Sequence, residues 1–174
     1  MSSVALRFGV DETSASDAFV RLHLAGLLDS GSGVATVVTE ADHEASRDAA
    51  VVVASMHRLA VELAIPRFTQ GDIAAMRRAN ERFAEAIEEG DVDEALAADD
   101  VFHDVPVRAC GNQAVASVLD QFTPMIRRLE RLRLSSEAGR ASGQTHGRLI
   151  ELCEAGDVQR AGLLAEGIWQ ALRA

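Results

Sequence analysis

Hydrophobic residues follow the period of a helix over most of this chain. From about residue 41 to residue 174 they recur at steps of three and four, which indicates amphipathic helices. Capping residues and helix breakers divide the region into six predicted helices. These helices cover about 43–65, 69–90, 91–111, 113–134, a segment ending near 155, and 157 to the end.

Two prolines, one loose segment and a set of arginines modify this helical pattern. Pro106 predicts a kink in the third helix, and Pro124 predicts a bend in the fourth. The segment 135–142 is predicted to be the loosest part of the helical region. The arginines of the fourth helix are predicted to form a mostly solvated face: Arg127, Arg128, Arg131 and Arg133.

The first forty residues have a different pattern. A short helix is predicted over 4–8, and a second helix, capped by Thr13 or Ser14, runs to Gly26. A turn over 30–33 precedes Val34–Val38, which is the only β-branched run and predicts a strand. This order is typical of a winged helix-turn-helix fragment, and the alternative is an irregular arm packed on the helical body.

The third predicted helix carries two polar residues on an apolar face. Asp99 and His103 are four residues apart, so both side chains lie on the same side of the helix. His146 begins another apolar stripe, with Leu149, Ile150 and Cys153. We therefore predict that the three polar side chains meet in the interior. They form either a divalent metal site, with Zn²⁺ or Ni²⁺ as the ion, or a metal-free cluster in which Asp99 accepts hydrogen bonds from both histidines.

Composition narrows the functional classes. The formal net charge of −10 excludes attraction of nucleic acid by the overall field, so DNA contact requires a local basic patch. Cys110 and Cys153 are isolated thiols, which favours a reducing compartment. The sequence shows no membrane-spanning run and no signal peptide. We expect a cytoplasmic protein.

Several short motifs, in this order and spacing, resemble a known bacterial family. The helical region resembles the FCD ligand-binding domain of GntR-type transcriptional regulators of the FadR subfamily. The matching motifs are Asp99-x-x-Phe102-His103, Gly111-Asn112, His146 and Gly156-Asp157. The N-terminal part resembles the second half of the GntR winged helix-turn-helix. There the matches are Phe8-Gly9-Val10, Ala18-Phe19-x-x-Leu22, Gly26-Leu27-Leu28 and Gly31-Ser32-Gly33.

The resemblance implies an all-α fold, an antiparallel bundle of six or seven helices with a central cavity, over residues 41–174. Residues 1–40 would form a partial winged helix-turn-helix. The family often holds a divalent metal on one aspartate and three histidines, against which small carboxylates bind. By position, Asp99, His103 and His146 match three of these ligands, while the fourth falls at Ile168. An arginine that is usual in the first bundle helix falls at Val53.

The same resemblance implies contacts to an effector and to DNA. We predict that the effector contacts His57, Asn112 and Ile168, and that DNA contacts Thr13, Ser14, Ser16 and Arg21. Glu12, Ser16 and Ser32 stand where the family has arginines. Residues 1–45 hold two arginines against seven acidic residues. The first helix of the winged domain has no match, so DNA binding is expected if the natural protein carries a complete N-terminal domain.

Three functions remain open from the sequence. The first is a homodimeric GntR/FCD regulator that senses a small metabolite, and it is more consistent with the sequence than an enzyme. The second is an FCD bundle that has lost DNA binding and serves as a metabolite-binding module or a metal-dependent enzyme. The third is a helical interaction protein without metal or ligand.

Overall fold

The fold is almost entirely helical, as the sequence predicts. A computed structural model describes residues 2–29, 36–39, 43–134 and 137–173. Within these residues the helices are α1 (Ser2–Phe8), α2 (Glu12–Leu24), α3 (His43–Ala64), α4 (Gln70–Glu89), α5 (Val92–Cys110), α6 (Gln113–Leu134), α7 (Glu137–Glu154) and α8 (Val158–Gln170). Two 3₁₀ turns, Ile65–Arg67 and Ala171–Arg173, follow α3 and α8. β1 (Leu28–Asp29) and β2 (Val37–Val38) pair antiparallel.

The central element is α3, which packs against α5, α6 and α8. Its buried face consists mainly of small residues, among them Ala50, Val53, Ala54 and Ala60, so neighbouring helices approach its backbone closely. The stretch Glu44–Arg67 is long and apolar enough to cross a membrane by length and composition, which corrects the sequence prediction that no such run exists. Here its apolar face is buried against other helices of the bundle.

Capping chemistry explains the corners of the bundle. Thr69 and Asp72 form a reciprocal capping box at the start of α4, as predicted. Gly90 ends α4 with φ 75°, and the Asp91 side chain then accepts a hydrogen bond from the backbone N–H of Glu94. Only glycine adopts this left-handed conformation at low cost, and it lets α5 fold back directly onto α4.

Four details of the sequence prediction need correction or restriction. Helix α7 already begins at Glu137, so the segment predicted to be loose is helical wherever it is described. Helix α2 is capped by Asp11, whose carboxylate accepts from Ser14 N at 2.9 Å, because this residue is extended and Thr13 and Ser14 are not. Leu28–Asp29 forms a strand that was not predicted. The predicted turn and wing over 30–33, with residues 34 and 35, lie outside the described residues.

The N-terminal elements pack on α6 of the bundle. Helix α2 contacts α6, and the Arg128 guanidinium donates two hydrogen bonds of 3.2 Å to the Thr39 carbonyl oxygen. The Thr39 hydroxyl donates to the Gly26 carbonyl oxygen at 2.6 Å, which ties the hairpin to the end of α2. This arrangement holds the hairpin over one side of the bundle.

Two glycines of α8 test how closely α3 and α8 pack. A Cβ on Gly162 would lie 2.7 Å from Oε1 and 2.8 Å from Cγ of Glu62 on α3, whereas a Cβ on Gly167 would have no neighbour within 4 Å. We expect Gly167→Ala to stabilise the protein by roughly 0.5–1 kcal/mol, because alanine has the higher helix propensity. Gly162→Ala should not show this stabilisation, because the new methyl group displaces the Glu62 side chain. Glu62 would then move away from Arg58, with which it forms an ion pair at 2.8 Å. Urea unfolding measures both, and equal stabilisation would show that α3 and α8 are not in close contact.

Candidate metal and ligand site

Three polar side chains meet in the interior of the bundle. Asp99 and His103 lie one turn apart on α5, and His146 comes from α7. Their potential ligand atoms all lie within 4.8 Å of one another. The Asp99 Oδ1 atom is 3.4 Å from His146 Nε2 and 3.8 Å from His103 Nε2. All three residues are buried, and His146 is completely inaccessible to solvent.

The tautomer of His146 follows from its neighbour Asn80 on α4. The Asn80 amide Nδ2 donates to the Gly143 carbonyl oxygen at 3.2 Å, which directs its Oδ1 toward His146 Nδ1, also at 3.2 Å. His146 Nδ1 therefore carries the hydrogen, and Nε2 presents a lone pair to Asp99. Two acceptors thus face each other across 3.4 Å. A proton on Asp99, or a cation between the two atoms, gives both acceptors a partner.

Burial sets the protonation of the cluster. It lowers the pKa of His146 to about 3, and it is the main cause that lowers the pKa of His103 well below the ordinary value. Burial, and next the nearby Glu130 carboxylate, raise the pKa of Asp99 well above its ordinary range. Among the described residues, neither His103 Nε2 nor His146 Nε2 has a hydrogen-bond partner. Both imidazoles are therefore neutral, which is the protonation state that binds a metal.

A large cavity opens beside His103. Its volume is about 710 Å³, and its floor contains His57, His103 and Trp169. The Trp169 ring stacks on His57 with centroids 4.4 Å apart and lies 4.8 Å from the ring of His103. The N-terminal elements supply the opposite wall with Leu22, Leu27, Leu28 and Val38. A molecule in this cavity would touch both the bundle and the N-terminal hairpin.

The predicted effector-binding residues lie in three different places. His57 lines the large cavity, and burial lowers its pKa to about 3. Ile168 is half-buried and lines a second, smaller cavity together with Asp99 and His146. Asn112 is exposed at the corner between α5 and α6, where its side-chain oxygen accepts from Ala114 N at 3.1 Å. Among the described residues, Asn112 lines neither of these cavities, and its observed role is to cap α6.

The predicted DNA-binding residues all lie on α2. Thr13 and Ser14 are exposed, and the Ser14 hydroxyl donates to the Asp11 carboxylate at 2.6 Å. Ser16 is half-buried. Arg21 is exposed and lines a groove between α2 and α6, opposite Asp120.

An ion-pair cluster on α6 was missed by the sequence analysis. The Arg127 guanidinium contacts Asp100 Oδ1 at 2.7 Å and Glu130 Oε2 at 3.1 Å, so it is not simply part of a solvated face. Glu130 is only 4 % exposed. Burial raises the pKa of Glu130 to about 7, although Arg127 opposes the shift. A sequence signal existed, since Glu130 stands on the buried stripe of Ile126 and Leu134 at steps of four.

The bundle matches a known family model. The model of the FCD domain matches residues 48–171, which is more than two thirds of the chain. The chain belongs to the FCD family. This match covers most of α3 and all of α4 to α8, and the N-terminal elements lie outside it.

Solved structures of regulators share the fold. The chain is similar to Escherichia coli McbR/YncC, with 17 % identity, a TM-score of 0.84, and 98 % of this chain and 82 % of that chain covered. A structure of Lar, described as controlling expression of the Listeria monocytogenes agr system, gives 15 % identity, a TM-score of 0.67, and 99 % and 82 % coverage. A GntR family transcriptional regulator from Pseudomonas syringae pv. tomato gives 20 % identity and a TM-score of 0.59, with 99 % of this chain and 74 % of that chain covered. No curated protein sequence matches the chain.

The raised pKa of Glu130 predicts a pH dependence of stability. The ordinary value is 4.5 and the folded value is about 7, so between these pH values the folded chain holds a proton that the unfolded chain has released. The contribution of Glu130 to stability is therefore complete below pH 4.5 and is lost as the pH rises through 7. Glu130→Gln removes this titration. As the pH rises from 4.5 to 8, the free energy of unfolding of the variant should increase relative to that of wild type by on the order of 3 kcal/mol.

Urea unfolding in the presence of a chelator measures this difference at each pH. The exposed glutamate of Glu151→Gln controls for the loss of a surface charge. A difference between Glu130→Gln and wild type that does not change with pH would contradict the assigned protonation.

Proposed function

We propose that this protein is a GntR-type transcriptional regulator whose helical bundle binds a small effector. The family match supports the presence of a ligand-binding domain, and the similar structures from Listeria and Pseudomonas are described as regulators of expression or transcription. We further propose that residues 1–40 are the DNA-facing part and residues 41–174 the sensing domain. The regulator would act in the cytoplasm as a homodimer.

The bundle would hold a divalent transition metal, Zn²⁺ or Ni²⁺. The observation that carries this proposal is the pair of buried imidazole Nε2 atoms, each without a hydrogen-bond partner among the described residues and both directed at one carboxylate. Asp99, His103 and His146 would be the ligands, and Asn80 would orient the ring of His146 through Nδ1. The donor set of two nitrogens and one carboxylate suits a borderline ion.

The effector would be a small carboxylate that binds in the large cavity beside His103. When bound, the metal supplies a Lewis acid for the carboxylate, while this chain's own residues shape the remainder of the site. The stacked rings of His57 and Trp169 form a flat, mostly apolar floor. Val53, at the position of the family's arginine, is completely buried and offers no charge. The only arginines among the described residues that line this cavity are Arg127 and Arg128.

A second function is favoured by the charge of the N-terminal elements. Asp11, Glu12 and Asp17 are exposed on and beside α2, where phosphate contacts would require basic side chains or free backbone donors. An FCD bundle that no longer binds DNA and serves as a metabolite-binding module, or as a metal-dependent enzyme, would carry such a surface. The two proposals share the same metal and effector site, and they differ in what α2 contacts.

Loss of one imidazole tests the metal centre. Wild-type protein purified without chelator or affinity tag should contain about one equivalent of a transition metal, because three buried ligands converge. His103→Ala should contain less than about a tenth of an equivalent. His23→Ala is the matched control, since His23 is exposed on α2. Elemental analysis that finds no metal in wild type would leave a metal-free cluster, in which Asp99 does not accept from His146, as predicted from the sequence, but is protonated and donates to His146 Nε2.

The acidic surface of α2 predicts weak DNA binding by this chain. The dissociation constant for DNA upstream of its gene should be about 1 µM or weaker at physiological salt, in the range of non-specific binding. Glu12→Arg should strengthen binding, because it replaces a repulsive charge with an attractive one on an exposed turn. Gel retardation measures both, and a wild-type complex at sub-micromolar protein would exclude the second function.

A further inference from the structure

One buried carboxylate remains unused by the site described above. Glu130 on α6 is as deeply buried as His103, and its Oε1 atom has no hydrogen-bond partner among the described residues. Its Oε2 atom lies 3.1 Å from Arg127 Nη1, but without the geometry of a hydrogen bond. A buried carboxylate held this loosely is unfavourable, so a stronger partner than Arg127 would stabilise it.

Glu130 shares a small cavity with the metal ligands. The cavity has a volume of about 30 Å³, and its lining includes Asp99, Glu130, His146 and Ile168. It therefore connects the α6 carboxylate with two of the three converging ligands. Ile168 also faces this cavity but has no donor atom. Among the other lining residues, Ser142 has a neutral hydroxyl, whereas Glu130 has a carboxylate, which is the oxygen ligand that suits a divalent cation.

The lining of this cavity carries two carboxylates, Asp99 and Glu130, and one guanidinium, Arg133, so one negative charge remains for a cation to balance when both carboxylates are ionised. Asp99 and Glu130 line one cavity of about 30 Å³, so their like charges repel each other when both are ionised and no cation lies between them. A divalent ion converts this repulsion into two attractions. Arg127 does not lose its partner if Glu130 turns away, because it keeps Asp100 at 2.7 Å.

We propose that Glu130 is a fourth protein ligand of the metal centre, supplied by α6 through the small cavity that it shares with Asp99 and His146. This inference rests on the proposed metal centre. It makes the ligand set two imidazoles and two carboxylates from three helices, α5, α6 and α7. The metal then links α6, which also carries Arg128 and the N-terminal hairpin, to the core of the bundle.

Metal titration of matched variants, each first made metal-free with a chelator, tests the fourth ligand, with Zn²⁺ and Co²⁺ alone as probes. Glu130→Gln keeps the shape of the side chain and removes the charge. It should weaken Zn²⁺ binding by about 10- to 100-fold or more, and it should shift the visible absorption bands of bound Co²⁺, because a neutral amide replaces the carboxylate ligand. Glu151→Gln, an exposed glutamate on the helix of His146, should bind both ions like wild type.

The outcomes separate this inference from the proposed metal centre. If Glu130→Gln matches wild type in Zn²⁺ affinity and Co²⁺ spectrum while His103→Ala loses binding, Glu130 is not a ligand and the three-ligand centre stands. If wild type binds neither ion, both proposals are wrong. If Glu130→Gln does not fold, Glu130→Leu replaces it, because leucine fits the buried stripe of Ile126 and Leu134, and the same results are expected.

Discussion

The contact between the Asp99 carboxylate and the lone pair of His146 is the constraint on which the rest of the site depends. The atoms Oδ1 and Nε2 lie 3.4 Å apart in the buried interior of the bundle, and both are acceptors once Asn80 fixes the tautomer of His146. Such a contact is unfavourable unless a proton or a cation lies between the two atoms. Three helices, α4, α5 and α7, must be in register to produce it. The bundle thus holds two acceptor atoms in contact at its centre, and a divalent cation between them would stabilise this arrangement.

The surroundings connect this centre to the remainder of the chain. On one side, Trp169 and His57 form the floor of a cavity of about 710 Å³, whose opposite wall comes from α2 and the hairpin. On another side, α6 presents Glu130 to the centre and Arg128 to the Thr39 carbonyl oxygen. An effector in the cavity would contact both the sensing bundle and the N-terminal elements. Occupancy of the cavity would alter the packing of α2 and the hairpin only if the molecule bound one arrangement of these elements more tightly than another.

Local sequence signals predicted the helices and their corners, because capping residues and periodicity act within a few residues. The same periodicity placed Asp99 and His103 on one face. The start of α7 was missed because Gly139, Ser142 and Gly143 lower its helix propensity. Packing compensates for this, since Asn80 of α4 donates to the Gly143 carbonyl oxygen. Trp169 and Asn80 were missed because their roles arise only when α4 and α8 meet α5 and α7. Glu130 was missed although an acidic residue on a buried stripe is itself a signal.

The single tryptophan of this chain provides the most direct test of the metal centre. The Trp169 ring lies 4.8 Å from the ring of His103, so an ion bound there is close enough to quench its fluorescence. Titration of metal-free protein, from which a chelator has first removed any bound ion, with Ni²⁺ should quench the emission in a stoichiometric manner that ends near one equivalent and is reversed by a chelator. Emission that is unchanged by several equivalents of Ni²⁺, in folded protein, would contradict a metal centre at Asp99, His103 and His146.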